Sequence, residues 1–425
     1  MLKLLFWISA AYVVYIYFGY AIFLWLLQPL FRRSYRVEPV EPSVSLLIAA
    51  YNEQAVIGDK LRNALALDYP ADRLDIVVAS DGSKDNTNAI VRSFAEGEGR
   101  GRIRLLDFSP NRGKLAVLND AIPKLSGEIV AFSDASTMLA ADSIRCLARH
   151  FADPRIGAVS GVYRVLKKEH SQLGVQEDFY WKYETFLKIQ ESRLGAFTGA
   201  HGSLFAVRRA LYPFPPLNTI NDDFVIPMRI QAKGYGIGYE PAAIAYEEAH
   251  EMEGFSRRVR IAAGNVEQLR EIRGLIWPPQ ILALFCLLSH KAGRLLVPVA
   301  MVTAFIANAL LAANVVLAAN ALPVVNTLSA AQASYPSPQA SYLPSALLAN
   351  VSNFYFWLFI GQVLFYALAL LGKFFSLRPT FLRLPYYFCM INSALFAWMY
   401  YALRMRRAIP SRVELDQITP GPSAG

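Results

Sequence analysis

Asp134 closes an apolar run, residues 129–132, within the segment GEIVAFSDASTM at 127–138. Such a run reads as a buried strand. A carboxylate at the C-terminal end of a buried strand stands where open α/β sheets hold their ligands. A hard cation such as Mg2+ or Mn2+ prefers oxygen, and binds through one or two carboxylates plus substrate phosphates. Asp134 is therefore a candidate metal ligand, with a turn or N-cap aspartate as the plainer alternative. Two earlier apolar runs end the same way. Residues 44–50 lead into Asn52 and Glu53, and residues 76–79 lead into Asp81, Gly82 and Ser83. Asp81 can accept hydrogen bonds from a base or a ribose, or simply make the Asp-Gly turn. With Asp134 at the end of a later parallel strand, the two carboxylates border one crevice.

Further along, Asp222 and Asp223 open a helical stretch, where the dipole favours carboxylates. A like-charged neighbour raises one of the two pKa values, which suits a general base. Capping remains the alternative for one of the pair. Lys114 and the cluster Arg257, Arg258 and Arg260 can neutralise a departing diphosphate. The arginines equally fit a patch bound to lipid headgroups. Residues 172–191 read as a long helix carrying Phe179, Tyr180, Trp181, Tyr183 and Phe186, half core and half able to stack on sugar rings. Gly199, Ala200, His201, Gly202 and Ser203 form a tight turn before a strand. His201 and His250 sit in no HExxH-type pattern and read as structural.

The elements that position these groups alternate. Strands are expected at 44–50, 76–79, 103–106 and from Glu128. Helices are expected from Asn52 to about Leu67, at 85–96 and at 113–125. Alternation at this spacing means a mostly parallel sheet with helices on both faces. Beyond Asp134 the pattern loosens: helix at 144–151, strand at 157–163, strand near 198–207, helix at 222–233 and helix at 256–269.

Composition frames the rest. The chain has 425 residues, 54% hydrophobic, with net charge +9. That excess fits a cytoplasmic-face bias better than a nucleic-acid footprint, and no basic arm is present, so no nucleic-acid partner is expected. Cys146, Cys286 and Cys389 are far apart and imply neither zinc nor a disulfide framework. Residues 4–30 contain no charge and can span a bilayer. Arg32, Arg33 and Arg36 follow and place the next segment in the cytoplasm. Residues 278–288 are apolar but short, which predicts an interfacial or re-entrant helix, with His290, Lys291 and Arg294 marking its watery end. Residues 295–372 hold no charge and contain two crossings, near 295–319 and 354–372. The loop between them lacks Lys and Arg and is expected outside. Lys373, Arg378 and Arg383 return the chain to the cytoplasm. Residues 385–403 are a third apolar stretch, but Arg404, Arg406 and Arg407 follow. The positive-inside rule puts both its ends inside and leaves its crossing open.

Six motifs occur in a fixed order. They are Tyr51-Asn52-Glu53; Ser80-Asp81-Gly82-Ser83 with Asp85-Asn86-Thr87; Lys114 with Leu118-Asn119; Ser133-Asp134-Ala135-Ser136; Asn221-Asp222-Asp223; and Arg257-Arg258-Val259-Arg260. Together they resemble the family-2 inverting glycosyltransferases of GT-A fold, above all the membrane-embedded cellulose, hyaluronan, chitin-oligosaccharide and poly-N-acetylglucosamine synthases. The resemblance covers roughly residues 43–275.

It implies an α/β fold: a GT-A, Rossmann-like cytosolic domain with a mostly parallel sheet, plus α-helical transmembrane segments. The expected division is 1–36 an N-terminal transmembrane helix, 43–275 the GT-A domain, 276–294 an interfacial helix, 295–404 a C-terminal transmembrane region and 405–425 a disordered tail. It implies that Asp81 contacts the uridine of a UDP-sugar, among Asn52, Glu53, Lys114, Asp134, Arg257 and Arg260 as nucleotide-sugar residues. Asp134 is the surviving acid of a DxD motif and holds Mg2+ or Mn2+. Asp223 is the base, with Asp222 beside it. Trp181, Gly199 and His201 face the acceptor. The implied activity is transfer from UDP-sugar to a growing polysaccharide or lipid-linked glycan, for exopolysaccharide or cell-surface glycan synthesis. The implied location is the plasma (inner) membrane, multi-pass, with membrane lipid around it and the catalytic domain cytoplasmic. Secretion or assembly partners are not specified. Two departures stand out. Ser136 replaces the second Asp of DxD. Arg257 and Ile261 replace the Gln and Trp of QxxRW, which puts chain elongation in doubt. A non-processive transferase to polyprenyl phosphate or lipid, and an inactive nucleotide-binding membrane subunit, are the alternatives.

Overall fold

The computed structural model of the chain describes residues 1–166, 173–248, 272–276, 280–332, 343–375 and 380–404. His250, Arg257, Arg258, Arg260, Ile261, the expected helix 256–269, Arg378 and the whole of the expected tail 405–425 lie outside the described residues. The chain forms two compact units, one built on Ala21–Ala292 and one on Met1–Tyr20 with Gly293–Ala397.

The first unit holds one eight-stranded sheet. Its strands are β1 (Val44–Ala50), β2 (Leu74–Asp81), β3 (Ile103–Phe108), β4 (Ile129–Asp134), β5 (Met138–Leu139), β6 (Ile156–Leu166), β7 (Phe205–Arg208) and β8 (Gly236–Glu248). The order is β3-β2-β1-β4-β7-β6-β8-β5. β1 to β4 are parallel neighbours, while β7 runs antiparallel between β4 and β6. The continuous apolar run of β1 sends Leu46 and Ile48 to one core and Leu47 to the other. Helices cover both faces, as a strand buried on both sides requires. Each such side chain contributes roughly 1.5–3 kcal/mol by leaving water.

The sequence expectation for β1 to β4 holds, with later helix starts. The first helix begins at Ile57 rather than Asn52. Asn52 has φ +55° and cannot continue a helix from β1. Its loop is bound instead to the loop after β2. Ser83 Oγ accepts from the Asn52 N–H at 3.1 Å, and Asn52 Oδ1 accepts from the Lys84 N–H at 2.8 Å. β5 and β8 carry no clear pattern and were not expected from the sequence.

In the second unit, Phe6 packs with Ala304, Ala307 and Tyr355. The Trp7 indole N–H donates to Tyr355 Oη at 3.1 Å, and Tyr17 Oη donates to Asn392 Oδ1 at 3.1 Å. Polar groups within an apolar bundle need such internal partners. Three helices among the described residues are long and apolar enough to cross a bilayer: Leu2–Phe31, Ile281–Asn314 and Phe354–Phe374. The short interfacial helix expected at 278–288 does not stop there; Ile281–Asn314 is one helical run. His290 marks no watery end, since it is buried. The stretch left open at 385–403 is a helix, Leu384–Arg404.

Candidate active site

Strand register gathers the first groups. Asp134 is level with Ala49, and Ala50 is level with Ser80, so Asp134 and Asp81 stand at the same C-terminal edge of the sheet. Asp81 is buried and engaged at both oxygens. Its Oδ1 accepts from the Arg112 N–H at 2.8 Å, and its Oδ2 accepts from the Gly113 N–H at 2.8 Å and Asn111 Nδ2 at 3.0 Å. The carboxylate thus shapes the turn that delivers Lys114, the first residue of the helix Lys114–Ala121. Gly82 makes this possible. Its φ is +67°, and a Cβ there would lie 2.9 Å from the Asn111 nitrogen.

Lys114 is the hub. Its Nζ donates to Asp134 Oδ1 at 2.9 Å and lies 3.4 Å from Asp222 Oδ2. Burial lowers its pKa, but Asp134 and then Asp222 outweigh that and hold the ammonium above its ordinary range. Asp222 and Asp223 open the helix Asp222–Ala232 as expected. Burial, and then Asp222, push the Asp223 carboxyl up to about 6, against the pull of Lys188, Lys114 and Lys291. A carboxyl poised there can accept a proton near neutral pH.

The turn 199–203 packs against this pair. The Ala200 N–H donates to the Asp223 carbonyl at 2.8 Å. A Cβ on Gly202 would come within 3.2 Å of Asp223 Oδ2, and one on Gly199, where φ is +97°, within 2.8 Å of Phe224. His201 is not on an acceptor-facing surface: it is buried, with Nε2 at 3.1 Å from Tyr239 Oη. Burial, then Lys188, pull its pKa well below the usual value. Trp181 lies on the helix Leu173–Arg193, and its side chain is outside the described residues, as are Arg257 and Arg260.

Several buried groups escaped the sequence reading. Lys60 lies beneath the Asp134 turn. Lys188 donates to the carbonyls of Gly199 at 2.7 Å and Ala200 at 3.3 Å. Burial, then Lys291, bring Lys188 down to about 8. Glu184 and Glu191 flank the His290 ring: Nδ1 is 2.5 Å from Glu191 Oε1, and Nε2 is 3.2 Å from Glu184 Oε2. Helical spacing offered a signal, because Glu184, Lys188 and Glu191 fall on one face. Ser136, at the departed DxD position, donates to Glu247 Oε1 at 2.9 Å, and Tyr163 donates to Glu247 Oε2 at 2.8 Å.

The residues present fit a hard divalent cation. An ammonium already bridges Asp134 and Asp222, so the site calls for positive charge. Among the described residues no three His, Cys, Asp or Glu side chains gather as a metal cage. Mg2+ and Mn2+ need no such cage when substrate phosphates complete the sphere.

The family model described as glycosyltransferase-like family 2 matches residues 42–264, more than half of the chain. The chain belongs to that family. It is 29% identical over 232 residues to a poly-beta-1,6-N-acetyl-D-glucosamine synthase of Staphylococcus aureus, covering 53% of this chain and 55% of the other. For the synthase of Staphylococcus epidermidis the identity is 29% over 248 residues, covering 56% and 59%. The chain thus spans about half the length of the curated relatives it matches. Among solved structures it is similar to a mannosyltransferase from Pyrobaculum calidifontis in complex with GDP-Man and Mn2+. That match has 26% identity and a TM-score of 0.65 over 95% of this chain and 100% of the other. The sheet and its helices are the GT-A fold that the motif order implied.

Proposed function

We propose that the protein is a membrane-bound inverting glycosyltransferase that moves a sugar from a UDP-sugar to a growing polysaccharide or lipid-linked glycan. One observation carries the reading: Lys114 draws Asp134 from the strand edge and Asp222 from the base-bearing helix onto a single ammonium. Donor-side and acceptor-side groups therefore share one crevice. The catalytic domain is 43–275, and the arginines after residue 31 support its placement in the cytoplasm.

In the single displacement, the acceptor oxygen bonds to the anomeric carbon while the bond from that carbon to the diphosphate oxygen breaks. The diphosphate leaves with the electron pair, and configuration inverts. Asp223 takes the acceptor hydroxyl proton. Lys114 offsets charge on the leaving group, with Arg257 and Arg260 assigned to the same task. Asn52, Glu53 and Asp81 build the nucleoside end, Asp81 with its remaining lone pairs. Asp134 would hold Mg2+ or Mn2+, which supplies Lewis-acid stabilisation of the diphosphate when bound.

A second reading is favoured by the near-complete cover of the Pyrobaculum calidifontis mannosyltransferase, whose structure contains GDP-Man. In it, a single sugar passes to a lipid acceptor, consistent with Ile261 in place of the motif Trp. The test is incubation of the purified protein with labelled UDP-sugars and GDP-mannose, Mn2+ and membrane lipid extract. A polymer ladder from a UDP-sugar is the expected result. One sugar on a lipid selects the second reading, and no nucleoside diphosphate release with any donor refutes both.

A further inference from the structure

The helix Ile57–Leu65 turns Ile57, Lys60, Leu61 and Ala64 into the core. Three of these are apolar. Lys60 is 0% exposed, yet no carboxylate among the described residues pairs with it. A buried ammonium is costly unless its hydrogen bonds are made. Lys60 makes two of its three to the Asp134 turn, donating to Ser133 Oγ at 2.7 Å and to the Thr137 carbonyl at 2.6 Å. The two acceptors flank Asp134 and Ser136 on either side.

The network continues across the crevice. Ser133 Oγ, having accepted from Lys60, donates to the Ser203 carbonyl at 3.0 Å. Thr137 Oγ1 reaches the Asp134 carbonyl at 3.0 Å. Ser203 belongs to the turn that packs on Asp223. Burial pulls the Lys60 pKa to about 7, and Asp134 is the charge that opposes this. The same helix also holds β5, beyond the turn, through Asn63, which donates to the Leu139 carbonyl at 2.9 Å and accepts from the Leu139 N–H at 2.8 Å.

We propose that Lys60 is a positioning residue: from beneath, its ammonium sets the Asp134–Thr137 turn and, through Ser133, locks that turn to the Ser203 turn beside Asp223. This rests on Asp134 serving as the metal ligand of the proposed transferase. The role differs from Lys114, which lies in the crevice and meets the diphosphate. Lys60 touches no substrate and acts through Asp134.

Electrostatics and positioning predict opposite signs here. Deleting a cation near a metal site should by itself tighten Mn2+. Losing the support of the ligand turn should loosen it.

The experiment is calorimetric titration of UDP into the full-length protein, with Mn2+ and with EDTA. The variants are Lys60→Met, Ser133→Ala and Asn63→Ala, with thermal melts alongside. Lys60→Met is expected to weaken the Mn2+-dependent gain in UDP affinity about 10–100-fold, the range for residues that orient metal ligands. UDP affinity in EDTA should stay unchanged. Ser133→Ala keeps the charge and should weaken the gain in the same direction, which covers the case in which Lys60→Met fails to fold. Asn63→Ala should lower the melting temperature and leave the gain intact. An undiminished or larger Mn2+ gain in Ser133→Ala, or in a folded Lys60→Met protein, overturns the proposal. If the wild type itself gains nothing from Mn2+, the metal role of Asp134 fails, and the assignment of Lys60 with it.

Discussion

The sheet has two halves that meet between β4 and β7, and they present chemistry differently. In the donor half, β1 to β4 are parallel, and functional side chains stand at strand ends in register. In the base half, β5 to β8 are mixed in direction, and the important groups come from a turn and two helices. The donor half brings a charge out to the crevice, over the buried Asp81 and Lys60: the Asp134 side chain is 41% exposed. The base half buries its charges: Glu184, Lys188, Glu191 and His290 are all inside. One half exposes a carboxylate that a ligand can reach. The other uses buried charges to hold a single carboxylate pair in place.

The contrast can be tested where the halves meet and on either side. The largest effect is expected from Asp134→Asn, which should abolish Mn2+-dependent turnover; full wild-type activity in EDTA would remove metal from the account. Lys114→Met comes next. It deletes the cation shared by the two halves and should lower kcat about 10²–10³-fold, as loss of one preorganised charge-stabilising donor does. A change in donor KM alone would make Lys114 a binding residue only. The third concerns scaffolding in the base half. His290→Leu leaves two buried carboxylates without their shared partner and should destabilise the fold by about 3–5 kcal/mol. Its pH–rate profile should keep the wild-type shape. A shifted profile with an unchanged melting temperature would turn His290 from scaffold into acid–base machinery.

How much the sequence disclosed follows the same division. Asp81, Lys114 and Asp134 were legible because parallel strands end in order at one edge, so chain position predicts location. Asp222 and Asp223 were legible from their place at a helix start. Lys60 was not, because a lysine on an amphipathic helix normally belongs to the solvent face. Its burial follows from the Asp134 turn, more than seventy residues away, whose hydroxyl and carbonyl need a donor. Glu247 was missed because β8 shows no alternation. His290 looked like the end of a short interfacial helix, because periodicity cannot reveal carboxylates arriving from another helix. Asp81 was read as a nucleoside contact, and its three hydrogen bonds to the 111–113 turn became visible only with that turn in place.

The most direct test of the central claim is Asp223→Asn, measured for transfer, UDP binding and stability across pH. In the wild type, kcat/KM should rise as pH passes through about 6, where the Asp223 carboxyl loses its proton. A carboxyl raised in the folded state adds stability below its ordinary pKa and loses it as pH climbs through the folded value. The Asn variant should therefore melt higher than wild type above that pH and gain nothing in acid. Transfer should fall about 10²–10⁴-fold, the worth of general-base help, while UDP binding is retained and Asp222→Asn loses less. Wild-type transfer by Asp223→Asn, with Asp222→Asn inactive, would contradict the assignment of the base; wild-type transfer by both would contradict the mechanism.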